Sequence, residues 1–257
     1  MVAAMRPNEP ARPSSRERWL LVTDVDDTLI GDDASLRQLL DTLPGAGILL
    51  ALNSSRPRES VARTIEEAWP SGAAPPDAVI TGLGTEIDYA TSGHDDAWQH
   101  RFDGWPHDEV DRVVGGLGFV RHAEEFQTRF KASYAVPSAA ASDVEAALDA
   151  AGIARRTISS GDSDFDVIPA GAGKAEAMFR VADCLEIPRD RVIVAGDSGN
   201  DLVMFEQASR GVVVGNARRE LRERVDRDRA YLATAEYAAG ILEALQEWGL
   251  VPERSHR

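Results

Sequence analysis

Short apolar runs alternate along the chain with stretches in which apolar residues recur every three or four positions. The apolar runs cover 20–22, 47–52, 78–80, 192–195 and 211–214. Runs of this length are typical of strands buried on both faces of a parallel sheet. Helical spacing is found at 36–43, 177–185 and 235–248. This alternation predicts an α/β fold whose core is a doubly wound, Rossmann-like parallel sheet.

The pattern changes in the middle of the chain. Three stretches have the alternation of strands, and a fourth, from Ser142-Asp143 to Gly152, has the signals of a short helix. The strand-like stretches are 126–134, 154–159 and 164–168. Strands followed by a helix and more strands predict a smaller α+β domain inserted into the core. We expect a flexible tail at 1–18, a core at 19–84 and 169–257, and the inserted domain at 85–168.

Charge and composition narrow the classes of function. The 257 residues carry a net charge of −15, which argues against nucleic acid or an anionic membrane as a partner. No apolar run approaches the ~20 residues of a membrane span, and the first 18 residues hold no apolar signal segment. The single cysteine, Cys184, excludes a disulfide within the chain. We therefore expect a cytoplasmic protein.

The first apolar run leads directly into Asp24-Val25-Asp26-Asp27. Ligands of parallel sheets bind just beyond the carboxyl ends of the strands, where this acidic stretch falls. Because side chains alternate along a strand, Asp24 and Asp26 should leave it on the same side. A divalent cation offsets the repulsion of two such carboxylates, and ligation by oxygen alone suits Mg²⁺. The alternative is an acidic loop in which Asp26 or Asp27 caps a turn.

Three further strand or helix ends carry polar groups that suit anion or metal binding. They are Asn53-Ser54-Ser55-Arg56-Pro57, Lys174 after a glycine-rich turn, and Gly196-Asp197-Ser198-Gly199-Asn200-Asp201. A hydroxyl-rich turn at a helix N-terminus can hold an anion, and a lysine there is unfavourable unless an anion is bound. The alternatives are an ordinary capped helix with a surface arginine and a plain surface lysine.

The histidines do not form a recognisable metal site. Four of them fall in the expected insert, at His94, His100, His107 and His122. Their spacing matches no zinc-binding pattern, so we interpret them as solvated polar residues. The neighbouring aromatic residues, which we expect to pack the insert, are Trp98, Phe102 and Trp105.

In this order, the four polar segments resemble the four motifs of the haloacid dehalogenase-like hydrolases. The insert lies between the second and third segments, which resembles the type 2 cap of that superfamily. The span 19–248 resembles, more narrowly, the sucrose-phosphate phosphatase family. The stretches that carry this resemblance are 79–87, 130–134, 159–161 and 196–201.

The resemblance implies a role for each motif residue. Asp24 matches the nucleophile that forms an aspartyl phosphate, and Asp26 matches the general acid and base. The implied Mg²⁺ ligands are Asp24, the Asp26 backbone carbonyl and Asp197, with Asp201 orienting metal-bound water or Lys174. The implied phosphate contacts are Ser54, Ser55, Lys174 and Asn200. The expected sugar contacts are Arg56, Glu86, Lys131 and Ser133.

The chain also departs from the family pattern near the expected sugar. Ser54-Ser55-Arg56 stands where Thr-Gly-Arg is usual, Pro57-Arg58 follows it, and Asp162-Ser163 lengthens the turn at Ser160-Gly161. These changes leave the chemistry intact and bear on the substrate.

The predicted function is a Mg²⁺-dependent phosphatase that acts on a disaccharide phosphate. Sucrose 6-phosphate is the first expectation, and mannosylfructose phosphate and glucosyl- or mannosylglycerate-type phosphates are the alternatives. A phospho-receiver module would be about half this length and would leave Asp26 without a role. A silent partner subunit of a glycosyltransferase is the other alternative. We expect a monomer or weak homodimer, and association with the cognate sugar-phosphate synthase is left open.

Overall fold

A computed structural model of the protein describes residues 18–252. The tail expected at 1–18 therefore lies, apart from Arg18, outside the described residues. The strands are β1 (Trp19–Thr23), β2 (Ile48–Asn53), β3 (Ala78–Thr81), β4 (Glu86–Tyr89), β5 (Gly93–His94), β6 (Val120–Arg121), β7 (Ala132–Ala135), β8 (Arg155–Ser160), β9 (Asp164–Pro169), β10 (Val192–Gly196), β11 (Arg210–Val213) and β12 (Ala230–Leu232). The α-helices are α1 (Asp33–Thr42), α2 (Arg58–Ala68), α3 (Asp96–Gln99), α4 (His107–Gly116), α5 (Ala141–Ala150), α6 (Lys174–Cys184), α7 (Leu202–Gln207), α8 (Arg219–Arg224) and α9 (Tyr237–Glu247).

The larger of two sheets has the strand order β12-β11-β10-β1-β2-β3-β4-β5. The first six strands are parallel, and β4 and β5 are antiparallel additions. Thr23 at the end of β1 is in register with Ala195 of β10 and Leu52 of β2. The residues that follow these three strands therefore meet at one edge of the sheet. The predicted α/β fold with a mostly parallel sheet is confirmed.

Helices bury both faces of the large sheet, as expected for apolar strands. On one face, α1 and α9 pack with β1 and β10 in a cluster that includes Leu21, Leu39 and Ile241. On the other, α6 and α7 pack on the same strands through Met178 and Phe205. This two-sided burial fixes the position of the strand ends that carry the polar motifs.

A second sheet belongs to the insert. Its four antiparallel strands have the order β6-β7-β9-β8, and α4 and α5 cover it through a separate apolar cluster. We call residues 107–169 the cap domain. The strand predicted over 126–134 is shorter than expected: β7 begins at Ala132, because Thr128 and Lys131 pair with each other in a tight turn.

The structure places the start of the insert later than residue 85. A turn at Gly82–Gly84, in which Leu83 has a φ of 57°, reverses the chain so that β4 pairs with β3 in the large sheet. The short α3 then packs on the core, where the Trp98 indole donates to the Gly84 carbonyl at 2.9 Å. The chain enters the cap domain only after Trp105.

This later boundary changes the setting of several insert residues. Trp98 and Phe102 belong to the apolar cluster of the core, whereas Trp105 packs against the clusters of both the core and the cap domain. His94 lies in β5 and contacts Asp88 of β4. The sequence missed the hairpin because residues 86–89 alternate like a strand of either sheet.

None of the helices between residues 18 and 252 is long and apolar enough to cross a membrane.

Candidate active site

The side chain of Lys174 joins the first, third and fourth polar motifs. It begins α6, is 1% exposed, and its Nζ donates to Asp24 Oδ1 at 2.6 Å and to Asp201 Oδ1 at 2.7 Å. Nζ also lies 3.2 Å from Asn200 Oδ1. The Asn53 side chain, at the end of β2, donates to the Lys174 carbonyl at 3.0 Å and fixes the start of the helix. The structure therefore rules out a plain surface lysine.

The loop after β10 folds tightly around Asp201. The Asp201 Oδ2 atom accepts hydrogen bonds from the Asp197 and Ser198 backbone N–H groups at 3.1 and 3.3 Å. A Cβ at Gly196 would lie 2.6 Å from the Asp201 carboxylate, so glycine is required for this close approach. Thr28, which follows the first motif, donates to Asp197 Oδ1 at 3.3 Å. These bonds hold Asp197 facing Asp24.

Asp24, Asp197 and Asp201 form what we call the acidic cluster, in which carboxylate oxygens of all three lie within 4.8 Å of one another. Burial raises the pKa of Asp24 to about 8 although the Lys174 ammonium opposes the shift. Burial and the Asp201 charge raise the pKa of Asp197 to about 6. Burial disfavours the charged form of Lys174, but Asp201 and Asp24 outweigh it and raise the Lys174 pKa.

Burial is the largest influence on the pKa of all three groups, and the balance of charge acts alongside it. One ammonium faces three buried carboxylates, so the lysine proton is held tightly while the acids compete for too little positive charge. A set of buried oxygen donors that lacks positive charge fits a divalent cation such as Mg²⁺. The acidic cluster is therefore a candidate metal centre.

Asp26 lies outside the acidic cluster. Its carboxylate is 55% exposed and forms an ion pair with Arg56 Nε at 2.8 Å. The chain turns sharply after it, since Asp27 has a φ of 56°. A metal contact by Asp26 would use its backbone carbonyl, as the resemblance implies, because its carboxylate contacts Arg56 instead.

The second motif brings hydroxyls and a guanidinium beside Asp26. Ser54 is buried and its Oγ accepts from the Arg56 backbone N–H at 3.1 Å. Arg56 Nη2 is buried without a hydrogen-bond partner among the described residues, so it remains a donor for a ligand. Pro57 is the N-cap of α2, and no side chain forms a capping hydrogen bond there. The Ser54 hydroxyl bonds within the turn instead.

A cavity of about 300 Å³ opens between this edge of the large sheet and the cap domain. We call it the central cavity. Its lining residues are Ser55, Arg56, His122, Phe126, Lys131, Ser133, Ser160, Gly161, Asp164, Asp166, Ser198, Asn200, Arg218 and Glu220. Asn200, which contacts Lys174, connects the central cavity to the acidic cluster.

The cap domain presents a charged, hydrogen-bonded floor to the central cavity. Lys131 Nζ lies 3.4 Å from Asp166 Oδ1, and the Ser133 hydroxyl donates to the same carboxylate. These side chains are nearly buried. Lys131 and Ser133, which the sequence analysis expects to contact the sugar, thus line the central cavity.

Glu86 does not join this group. Its carboxylate accepts from the Thr81 hydroxyl at 2.9 Å across the β3–β4 hairpin, and it does not line the central cavity. β4 lies in the core sheet, and the Glu86 carboxylate is bonded within its own hairpin, so the expected contact of Glu86 with the sugar stays a prediction.

Several cavity residues were missed by the sequence analysis. His122 is not simply solvated, since Nε2 lies 3.2 Å from Asp164 Oδ1 at the cavity wall. Asp166 and Phe126 carry no motif or spacing that marks them. Only the Ser160-Gly161 turn gave a signal, through its resemblance to the family.

Comparisons with known proteins agree with this geometry. A mannosylfructose-phosphate phosphatase from Agrobacterium fabrum is 34% identical over 247 residues, which cover 91% of this chain and 98% of that protein. Sucrose-phosphatase 1 from Nicotiana tabacum is 32% identical over 199 residues, 71% of this chain and 47% of that protein. The match thus spans about half the length of the plant relative.

A solved structure covers the whole fold. The sucrose-phosphatase from Synechocystis sp. PCC6803, determined in complex with sucrose and phosphate, superimposes with a TM-score of 0.82 at 28% identity. The match covers 93% of this chain and 100% of that one.

A mostly parallel α/β core, motif residues gathered at its edge and a cap domain above them define a haloacid dehalogenase-like phosphatase. The sequence from residue 17 to residue 249 matches the family described as sucrose-6F-phosphate phosphohydrolase. The chain belongs to this family and is a phosphoric monoester hydrolase.

Proposed function

We propose that the chain is a Mg²⁺-dependent phosphatase that hydrolyses a disaccharide phosphate, with sucrose 6-phosphate as the first candidate. The observation that carries the proposal is the central cavity, which joins the acidic cluster and Lys174 to a polar cap floor. A cavity of about 300 Å³ is at the lower end of the usual size of small-molecule sites. Its polar and charged lining suits a ligand rich in hydroxyls.

Mannosylfructose phosphate is the second candidate substrate. The Agrobacterium relative that bears this name aligns over nearly its whole length, and the sucrose-phosphatase from Synechocystis does so as well. Sucrose and mannosylfructose both contain fructose and differ in the configuration of one carbon of the other hexose. One hydrogen bond to that hydroxyl is worth about 1 kcal/mol, so side chains of the cap domain decide between the two.

The proposed reaction has two steps. The Asp24 carboxylate attacks phosphorus, and the bond between phosphorus and the sugar oxygen breaks while Asp26 gives that oxygen a proton. Asp26, now a base, takes a proton from water, which attacks the aspartyl phosphate and releases phosphate and the Asp24 carboxylate. Positioning and charge neutralisation do most of the work in phosphoryl transfer.

The other motif residues support these steps. Lys174 already contacts Asp24 and offsets the charge of the phosphoryl group, and Ser54 offers its hydroxyl to a phosphoryl oxygen. Arg56 holds the Asp26 carboxylate at 2.8 Å beside the departing sugar oxygen. Mg²⁺, held by Asp24, Asp197 and the Asp26 carbonyl, would supply further positive charge when bound.

The first experiment is to measure phosphate release from a panel of sugar phosphates, with Mg²⁺ and with EDTA. The panel contains sucrose, mannosylfructose, glucosylglycerate, mannosylglycerate and trehalose phosphates and simple hexose phosphates. We expect strong, Mg²⁺-dependent release from one fructose-containing disaccharide phosphate. Weak, even release across the panel would contradict the substrate. No release by the folded chain would favour the silent partner subunit instead.

The covalent step has its own test with a matched control. Asp24→Asn should lower kcat by more than about 1,000-fold because the nucleophile is lost. Asp27→Asn removes a carboxylate three positions away and keeps a residue type that tolerates the left-handed conformation of Asp27. It should retain activity. Retained activity in the Asp24 variant would overturn the covalent assignment.

A further inference from the structure

Resting on the proposed function, we infer that the ring of Phe126 forms the binding platform for the unphosphorylated hexose of the disaccharide phosphate. Three large apolar residues are prominently exposed in the described part of the chain: Leu117, Val120 and Phe126. Phe126 is 45% exposed, and of the three it alone lines the central cavity.

The backbone that carries Phe126 is held rigidly on both sides. The buried Gln127 side chain donates to the His122 and Ser133 carbonyls, each at 3.0 Å, and accepts from the Ser133 N–H at 2.8 Å. The Phe126 N–H donates to the Ala123 carbonyl at 2.9 Å. A buried amide with three backbone bonds thus keeps an aromatic ring exposed to the cavity rather than folded away.

The rest of the wall suits a sugar ring. The His122 ring lies at an angle to Phe126, with centroids 6.1 Å apart, and the Lys131–Ser133–Asp166 floor supplies donors and acceptors. A pyranose presents C–H groups on one face and hydroxyls around its edge. The apolar face fits an aromatic ring, and the hydroxyls fit the charged floor.

The position of Phe126 on the cap domain indicates which of the two sugar rings of the substrate it contacts. The phosphoryl group must reach Asp24 and Lys174 at the core edge, so the phosphorylated fructose lies nearest the core. The second hexose then extends toward the cap domain, where Phe126 and the polar floor meet it. A hexose monophosphate, which lacks this second ring, cannot use the platform.

The test compares two substrates on the same variants. Phe126→Ala should raise the KM for sucrose 6-phosphate, and weaken the binding of sucrose measured by calorimetry, by roughly tenfold. The kcat and KM for fructose 6-phosphate should stay unchanged. The kcat for sucrose 6-phosphate should also stay unchanged. Phe126→Trp should restore binding. Leu117→Ala is the matched control, since Leu117 is 44% exposed on the cap domain and lies outside the cavity lining.

Each outcome separates the platform from the proposed function. Equal changes for both substrates, or no change in sucrose binding, would overturn the platform while the phosphatase assignment stands. If the unaltered chain hydrolyses fructose 6-phosphate but neither sucrose nor mannosylfructose phosphate, the proposed substrate class fails and the platform with it. Melting curves of the variants exclude misfolding as the cause of lost binding.

Discussion

At the scale of single residues, the most informative contact is that of Lys174 with Asp24 and Asp201. It explains how three carboxylates can be buried together, since the Lys174 ammonium offsets part of their charge. One ammonium cannot neutralise all three. Asp24 and Asp197 retain protons in the folded, metal-free chain at pH values where the unfolded chain has released them. These two groups therefore lower stability as the pH rises from about 4 toward 8.

Mg²⁺ should reverse this loss. Binding displaces the retained protons, so the stabilisation by Mg²⁺ should be larger at pH 8 than at pH 5.5. At a Mg²⁺ concentration of about 100 times Kd the gain is about 2.7 kcal/mol, which raises Tm by on the order of 5–10 °C for a chain of this size. Thermal unfolding at several pH values, with Mg²⁺ and with EDTA, measures this difference.

Asp197→Asn and Asp27→Asn complete that experiment. The first removes a member of the acidic cluster and should raise Tm without metal while abolishing the Mg²⁺ effect. The second removes an exposed carboxylate nearby and should leave the effect intact. A Mg²⁺-induced rise in Tm that does not depend on pH would show that the metal binds elsewhere.

At the scale of elements, the turn between β3 and β4 supports the start of α6. A Cβ at Gly84 would lie 2.2 Å from the Gly173 carbonyl oxygen, and Gly84 has a φ of +85°. The core hairpin therefore packs directly against the backbone that presents Lys174.

Gly84→Ala should both destabilise the fold and displace Lys174. The positive φ alone costs about 1 kcal/mol, and the backbone clash adds to it, so we expect a loss of about 2–4 kcal/mol and a lower kcat. Gly72→Ala is the matched control, because Gly72 has a φ of +82° with open space around it. The free energy of unfolding in urea and the rate of phosphate release are measured for both variants. The comparison separates the cost of the positive φ, which both share, from the clash with Gly173, which only the Gly84 variant has. Equal losses would contradict the packing argument.

The sequence predicted the elements of the core better than those of the cap domain. Buried parallel strands and the polar groups at their ends are encoded locally, in runs such as 192–195 followed by Asp197. The assignment of β4 to one sheet or the other depends on the turn at Leu83. Leu83 has a left-handed conformation that is not expected for a leucine, so the sequence does not predict this turn. Propensity therefore could not place Glu86.

The central cavity was least accessible to sequence reasoning. Lys131 and Ser133 were expected there through a family resemblance, whereas their partner Asp166 lies 33 positions after Ser133 in the sequence, on the neighbouring strand β9. Phe126 became informative only when its exposure was known, because an apolar residue in a sequence is expected to be buried. Local patterns do not encode such contacts between strands that are far apart in the sequence.

At the scale of the whole molecule, the cap domain is fastened to the core by an ion pair. Arg156 of β8 donates to both carboxylate oxygens of Glu176 in α6, each at 2.6 Å. Both side chains are about one-third exposed. Glu176 lies two positions after Lys174, so the pair fixes the cap domain close to that lysine.

Breaking this pair should loosen the cap domain. A double-mutant cycle with Arg156→Gln and Glu176→Gln should give a coupling energy of about 0.5–1 kcal/mol, reduced by salt. The single variants should raise the KM for a disaccharide phosphate more than they lower kcat. The exposed pair Arg112 and Glu109, within α4, provides the control cycle and should leave KM unchanged. A KM unaffected by both cycles would rule out the fastening role.

The partnership of Asp24 with Lys174 also has a consequence during translation. The two residues are 150 positions apart, and β1 has β10 as a neighbour in the finished sheet. At about 5–20 residues per second, the ribosome needs roughly 8–30 s to synthesise the intervening chain. For that interval the nascent β1 is missing one edge partner and the residues that neutralise Asp24. The intervening cap domain is a continuous segment and can fold before the core is complete. Shielding of the core strands β1 to β3 by a chaperone should therefore matter most before α6 has been synthesised.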